Sequence, residues 1–354
     1  MRTIIFISIL LIAGSVHSQN EEIIENDSIP FEMFKNDVIL SADLGFYSAP
    51  FSIKDNYQLG VSKLKFKNNP KLVVGLGFSY KWFALRFGFA LPVNLKSESK
   101  FGETDYFDIG LRFNLKQTYT AIEFRDYKGF AIKDAANWND SIKDLGGTNQ
   151  IRPNTTALSI SANVWWFKGK EFNYQAAMGK VGHYTGTGKT WYFKSTLNFF
   201  GVSNLFETLV PTELLDTSDR VNANGVGAID IGFIPGYAYV NRIKNWQFSI
   251  ITGLGGVIQA KYYTKGGETR SFLGVAPRID LNLMVGYSRP KYFILLTSDF
   301  DIKSVNIQDL SYNQSYYNIR LTGGFRIKTK QKKSKQKDLQ TRELTILPLI
   351  APKL

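Results

Sequence analysis

Hydrophobic and polar residues alternate along most of the chain, from about Asp37 to Ile327. Between Trp82 and Leu91, large apolar side chains occupy every second position, and small residues or Arg86 occupy the positions between them. An extended strand places successive side chains on opposite faces, so a two-residue period predicts β-strands with one apolar face. The same pattern recurs at residues 107–115, 158–166, 279–287 and 317–327. We therefore predict an all-β fold.

The length of these stretches favours a membrane environment. A strand that crosses a bilayer needs about nine to eleven residues, and the alternating stretches reach or exceed that length. Aromatic residues collect at their ends, for example Trp82, Trp166 and Trp191, which is typical of the membrane interface. The pattern predicts an antiparallel transmembrane β-barrel of about 12 to 14 strands.

The connections between the predicted strands differ in length, and this difference predicts their side of the membrane. Long connections near residues 129–154 and 201–224 are expected on the extracellular side, whereas Gly169 and Asn245 are expected in short periplasmic turns. Residues 58–66 and 172–181 are also included among the predicted strands, with a loop as the alternative for the short span 58–66. The barrel is predicted to occupy residues 37–327.

The beginning of the chain has the composition of an export signal. A basic start precedes the apolar run Ile4–Ile12, and small residues follow it. This arrangement is typical of a secretory signal peptide over residues 1–18, with cleavage near Ser18 and Gln19. Residues 19–36 are acidic and poorly patterned, which predicts a short periplasmic segment. We expect Sec-type export and a final location in the cell outer membrane.

Composition and charge narrow the possible partners. The chain has no cysteine, which excludes disulfides and a lipid-modified cysteine. Residues 328–354 contribute a large part of the formal net charge of +13. They form a basic tail that is expected in the periplasm. Its lysines are candidates for contact with a periplasmic protein or peptidoglycan. These candidates are Lys330, Lys332, Lys333, Lys335 and Lys337. Outer-membrane lipid and lipopolysaccharide are the other expected partners, and export argues against nucleic acid.

Several motifs occur in an order that resembles a known family. They are Asn69-Pro70, Gly75–Lys81, Gly102–Asp105, Asp126–Phe130, Arg152–Asn154, Phe172–Ala177 and Pro235–Tyr239. Together they resemble DUF4421, a family of unknown function found in Bacteroidota, over about residues 37–327. The resemblance implies an outer-membrane β-barrel and supplies no activity and no site residues.

Charged residues on the second face of the strands are predicted to point into the barrel lumen, where opposite charges must pair. The lumen candidates are Arg86, Asp108, Arg112, Asp230, Arg278, Asp280, Arg320 and Arg326. They form either a salt-bridged network that fills the lumen or a charged ring that selects solutes. His183, the one histidine after the signal segment, is expected in a surface loop. We expect no catalytic residues, no metal site and no cofactor.

Four functions follow from these observations. The leading hypothesis is a non-enzymatic outer-membrane barrel with a structural or partner-scaffolding role in the cell envelope. Its alternative is a diffusion channel for small solutes. A hydrolase at the barrel rim is a third possibility, and it would require His183 beside a nucleophile and a carboxylate. The fourth is a soluble, lipocalin-like binding barrel.

Overall fold

The computed structural model describes residues 29–329 apart from 116, 117, 170, 216 and 217. The predicted signal peptide and the five tail lysines lie outside the described residues. Strands make up most of the described chain. They are β1 (Phe31–Met33), β2 (Asp37–Ser48), β3 (Phe51–Lys54), β4 (Lys63–Lys67), β5 (Lys71–Tyr80), β6 (Phe83–Asn94), β7 (Asp105–Leu115), β8 (Thr118–Ile132), β9 (Gln150–Phe167), β10 (Gly182–Tyr184), β11 (Gly188–Asn204), β12 (Gly225–Ile243), β13 (Trp246–Lys265), β14 (Glu268–Ser288), β15 (Tyr292–Ile307) and β16 (Leu310–Lys328). Short α-helices lie at Glu98–Phe101, Asp140–Asp144 and Tyr174–Ala177, and 3-10 turns lie at Gln58–Gly60, Ala135–Asn137 and Thr212–Leu214.

Twelve strands close into an antiparallel barrel. The ring consists of β2, β5 to β9 and β11 to β16. It closes where β16 pairs with β2, from Tyr317 opposite Ser48 to Lys328 opposite Asp37. The predicted transmembrane β-barrel is confirmed, with a ring at the lower end of the predicted strand number.

Strands β3 and β4 extend the barrel wall at one end. β3 pairs with the beginning of β16, and β4 pairs with the end of β8, where Phe66 lies opposite Ile132. Since β3 pairs with β16 and β4 pairs with β8, the strands β2, β5, β6 and β7 do not take part in the wall at this level. The predicted strand at residues 58–66 is therefore only partly correct, because β4 begins at Lys63.

The barrel has two different ends. The terminal end carries residue 37, residue 328 and the short turns 81–82, 244–245 and 289–291. The loop end carries the connections 55–62, 95–104, 133–149 and 205–224, together with the two-residue turns 266–267 and 308–309. The two long connections predicted from the sequence thus share one end, opposite the first and last strand termini.

The prediction for the segment after Gly169 was wrong. Instead of a tight turn followed by a strand at residues 172–181, the chain forms the short helix Tyr174–Ala177 and the short strand β10. Most residues from Phe172 to Tyr184 are buried. Their alternating apolar side chains pack inside the barrel rather than in its wall.

The outer surface of the barrel is apolar. Outward positions of β12, for example, are Ile229, Ile231 and Phe233, which are exposed by about half or more. Exposed aromatic side chains are concentrated near the terminal end, and they include Trp82, Trp166, Trp191, Trp246 and Tyr292. An apolar band with aromatic residues at its edge matches the hydrocarbon core and interface of a bilayer.

No helix among the described residues combines the length and apolar character that a bilayer-spanning helix requires.

Candidate functional site

Three layers of side chains fill the barrel lumen. A charged layer lies midway along the strands, between an apolar and aromatic layer at the terminal end and another at the loop end. β11 crosses all three, with Tyr192 in the terminal layer, Lys194 in the charged layer and Phe200 in the loop-end layer. β8 likewise contributes Tyr119 to the terminal layer and Tyr127 to the loop-end layer. Because strand residues alternate, each wall strand presents inward side chains at successive depths.

The terminal layer is completed by a plug, defined here as residues 171–187 together with β1. β1 pairs with β10, so that Glu32 lies opposite His183. Tyr174 of the plug stacks on Tyr119 of the wall, with ring centroids 4.1 Å apart. The plug is thus an ordered part of the barrel interior.

A buried glutamine of the wall anchors this terminal plug. Gln247 Nε2 donates hydrogen bonds to the carbonyl oxygens of Ala176 and Ala177, both at 2.8 Å. Gln247 Oε1 accepts a hydrogen bond of 2.8 Å from the backbone N–H of Tyr184. Ser249 Oγ donates a further hydrogen bond to the Ala177 carbonyl at 2.5 Å. These bonds satisfy backbone groups that burial would otherwise leave without partners.

Arg326 anchors the other side of the plug. Its guanidinium donates to the carbonyl oxygens of Gly179 and Lys180 at 2.7 and 2.9 Å. The same guanidinium lies 4.5 Å from the ring centroid of Phe34 and 4.9 Å from that of Phe293. Arg326, a predicted lumen charge, therefore lies in the terminal layer, where it binds backbone carbonyls and aromatic rings.

The loop end is closed by a second segment, the cap, defined as residues 205–215 and 218–224. Leu209, Leu214 and Val221 of the cap are buried in the loop-end layer. Arg152 ties the cap to β9, because its guanidinium binds the Thr208 carbonyl and lies 3.1 Å from a carboxylate oxygen of Glu207. The barrel is thereby obstructed at both ends.

The charged layer begins with an arginine held between two aspartates. Arg86 donates to both carboxylate oxygens of Asp43, at 2.8 and 2.7 Å, and to the hydroxyl of Tyr47 at 2.7 Å. It also forms an ion pair with Asp108. Gly75 lies between Asp43 and Arg86, and a Cβ atom at this glycine would be 2.4 Å from both side chains. The glycine therefore provides the space in which the ion pair forms.

Asp280 organises the second group. Its carboxylate accepts hydrogen bonds from Tyr192 Oη at 3.0 Å, Lys194 Nζ at 3.0 Å and Trp165 Nε1 at 3.2 Å. Trp165 belongs to β9 and Asp280 to β14, which are not neighbours in the ring. The contact therefore crosses the lumen.

The remaining charges pair in the same layer. Arg278 binds Asp230, which also accepts a hydrogen bond of 2.7 Å from Asn198 Nδ2. Further ion pairs join Arg320 to Asp299, Arg112 to Glu123 and Arg125 to Glu123. Seven of the eight predicted lumen charges thus lie in the charged layer, and Arg326 lies in the terminal plug region. Their functional role stays a prediction.

Several charged residues of this layer were missed from the sequence. They are Asp43, Lys180, Lys194, Asp299, Asp301 and Lys303. For the wall residues the signal was available: on β15, Asp299, Asp301 and Lys303 alternate with outward apolar positions such as Ile294 and Leu296. Lys180 had no such signal, because it belongs to the plug.

A cavity of about 140 Å³ lies within the charged layer. Its charged lining consists of Arg86, Arg112, Glu123, Arg125, Lys180, Lys194, Arg278, Asp280, Asp299, Asp301, Lys303 and Arg320. In the described part of the chain, no three histidine or carboxylate side chains are grouped as ligands of a metal ion would be.

His183 lies in the terminal plug and not in the expected surface loop. Its side chain is buried, its Nε2 is 3.4 Å from a carboxylate oxygen of Glu32, and its ring packs against Phe34 with centroids 5.2 Å apart. Burial, with the positive charges of Arg242 and Arg326, lowers the pKa of His183 to about 4. The imidazole is therefore neutral near pH 7.

A closed ring of paired strands with an apolar outer surface satisfies most of its backbone hydrogen bonds within the ring and presents that surface to a lipid bilayer. The chain accordingly has the outer-membrane β-barrel fold. The family model described as domain of unknown function DUF4421 matches residues 25–327, and the chain belongs to this family.

Three solved structures resemble the chain at low sequence identity. The translocator domain of the autotransporter NalP from Neisseria meningitidis is 9% identical over 90% of this chain and 92% of its own, with a TM-score of 0.36. The outer membrane protease OmpT from Escherichia coli is 7% identical over 85% of this chain and 99% of its own, with a TM-score of 0.35. LpxR from Salmonella typhimurium is 10% identical over 79% of this chain and 99% of its own, with a TM-score of 0.32. No curated protein matches the chain by sequence.

Proposed function

We propose that the protein is a closed, non-enzymatic barrel of the cell outer membrane with a structural or partner-scaffolding role. The observation that carries this proposal is the obstruction of the lumen by the terminal plug and by the cap. For a solute to pass, both segments would have to leave buried positions that hydrogen bonds and aromatic contacts stabilise. Small-solute diffusion is the alternative, favoured by the polar cavity between the two segments.

The proposed orientation places the terminal end in the periplasm. Short turns and both strand termini at one end, with long connections at the other, are usual for barrels of this class. Residues beyond Lys328 then begin on the periplasmic side, where a basic segment can meet peptidoglycan or a periplasmic protein. The outward apolar face would contact outer-membrane lipid and lipopolysaccharide.

The surroundings of His183 support a non-enzymatic role. A hydrolytic site would need a hydroxyl or thiol nucleophile within hydrogen-bond reach of the imidazole. The side-chain contacts described for His183 are with Glu32 and Phe34. The histidine also lies inside the plug, away from the loop-end rim that a large external substrate could reach.

Conductance in a planar bilayer tests the closed lumen. We expect the folded, full-length protein to show no steady single-channel steps, and the same for variants that lack only the plug or only the cap. Replacing both segments by short glycine-serine linkers should open a salt-dependent conductance. Steady steps from the full-length protein would overturn the closed barrel and favour the channel.

Co-sedimentation with purified peptidoglycan tests the scaffolding role. We expect full-length protein in detergent to co-sediment, and a variant that ends at Lys328 to remain in the supernatant. Both proteins should show the same shift of the folded band on unheated gels, which controls for folding. Equal sedimentation of the two would contradict a role for the basic tail.

A further inference from the structure

The central cavity is large enough to hold more than solvent. A buried water needs roughly 10–15 Å³ of cavity volume, and this cavity has a volume of about 140 Å³. Plug residues, among them Met178, Lys180 and Val181, line the cavity on its side toward the terminal end. Several waters, or one small solute with its remaining waters, would fill it.

The lining of this cavity is unbalanced in charge. Eight lysine and arginine side chains line it, compared with four aspartate and glutamate side chains. Three further carboxylates, those of Asp43, Asp108 and Asp230, are already bound to Arg86 or Arg278. Arg112 and Arg125 share the single carboxylate of Glu123. The eight cations thus face seven carboxylates in all, which leaves one positive charge in excess.

Lys180 is the cation that lacks a partner. Within the described chain its ammonium forms no ion pair and no side-chain hydrogen bond, although the residue lines the cavity. Burial, together with the positive charges of Arg320, Arg112 and Arg86, lowers the pKa of Lys180 to about 7, and Asp43 opposes this shift. An uncompensated charge in a buried site either loses its proton or binds a counter-ion.

Two further donors at the cavity are unsatisfied. Thr297 and Arg320 lie directly opposite each other on β15 and β16. Thr297 Oγ1 and Arg320 Nε are buried and have no hydrogen-bond partner among the described residues. Thr297 is only 2% exposed. Both residues line the cavity, as do Lys180 and Arg112.

We propose that this cavity is a binding site for a small oxyanion of the phosphate or carboxylate class, held by Lys180 of the plug and by Arg112, Thr297 and Arg320 of the wall. An oxyanion offers several acceptor oxygens to an ammonium, a guanidinium and a hydroxyl at once, and such charge-assisted hydrogen bonds are the strong ones. The anion would link the plug to β15 and β16. This site goes beyond the closed barrel, because it is independent of whether the lumen conducts.

Thermal unfolding of refolded protein tests the site. The full-length chain is refolded in detergent with phosphate, with acetate or with chloride at equal ionic strength, so that the anion can enter before the plug closes. We expect phosphate or acetate to raise the unfolding temperature relative to chloride, and the more effective of the two identifies the preferred class. The effect should weaken from pH 6 to pH 8.5, since Lys180 loses its proton in that range.

Two variants and one control locate the effect. Lys180→Gln should weaken the affinity about tenfold or more, as judged from the dependence of the unfolding temperature on anion concentration. The control Lys168→Gln, at an exposed lysine just before the plug, should behave as the parent protein. If Lys180→Gln does not fold, Thr297→Val is used instead, because it removes a hydroxyl at nearly constant volume. The oxyanion effect on its unfolding temperature is then compared with that of the parent protein. No oxyanion effect in the parent protein, or equal effects in the parent and the folded cavity variant, would overturn the proposal.

Discussion

Replacing Gln247 by leucine should loosen the terminal plug without opening a void in the barrel wall. Gln247 is 1% exposed, and its amide makes three hydrogen bonds with plug backbone groups. Leucine has nearly the same volume but can neither donate nor accept. The carbonyl oxygens of Ala176 and Ala177 then lose a donor, and the N–H of Tyr184 loses its acceptor.

The expected magnitude follows from these three bonds. Each contributes about 1 kcal/mol net, and buried groups left without partners cost at least as much. The free energy needed to open the plug should therefore fall by about 3 kcal/mol, which corresponds to about a hundredfold rise in the population of the open plug. Global unfolding should change less, because the twelve-strand ring does not depend on this side chain.

Cysteine labelling measures this opening directly, because the chain contains no cysteine of its own. Val181→Cys introduces one thiol at a buried plug position that is 4% exposed. In folded protein, maleimide should label it about a hundredfold faster when Gln247→Leu is also present. Gln259→Leu is the matched control, since this buried glutamine of the same strand contacts Asp230 and the Ser304 carbonyl instead of the plug. Equal labelling rates with and without Gln247→Leu would refute the anchoring role.

Two further predictions concern the lumen. Gly75→Ala should lower the free energy of unfolding by about 2 kcal/mol, because the new methyl group separates Asp43 from Arg86. The control Gly323→Ala should be nearly neutral, because the added Cβ atom meets open space. Denaturant midpoints, read from gels that separate folded from unfolded protein, will show whether the two variants differ. Because the pKa of His183 is lowered from 6.5 to about 4, the stabilisation that comes from its neutral form is present above about pH 6.5 and is lost as the pH falls toward 4. Labelling of the plug thiol, measured relative to labelling of the same thiol in unfolded protein at each pH, should therefore accelerate on acidification, and His183→Gln should flatten that pH dependence; an unchanged dependence would show that another group controls the plug.

The sequence by itself determined the wall of this barrel. In strands such as residues 107–115, every second side chain faces lipid, so the apolar period is dictated by the two faces of a single strand. A closed ring of about 12 to 14 strands follows from the number of such stretches and from the need to pair strand edges in a bilayer. The same alternation of side chains placed Arg86, Asp108 and Arg278 on the inner face of the wall.

Only the tertiary structure decided what fills the lumen. Phe172, Tyr174 and Ala176 alternate as a wall strand would, but their neighbours are Tyr119 and Gln247, which are distant in sequence. A segment buried inside a barrel meets protein on every side, so its pattern carries no period that distinguishes wall from plug. The pairing of lumen charges was equally hidden, because it depends on which strands face each other across the ring and on glycines that leave room between them.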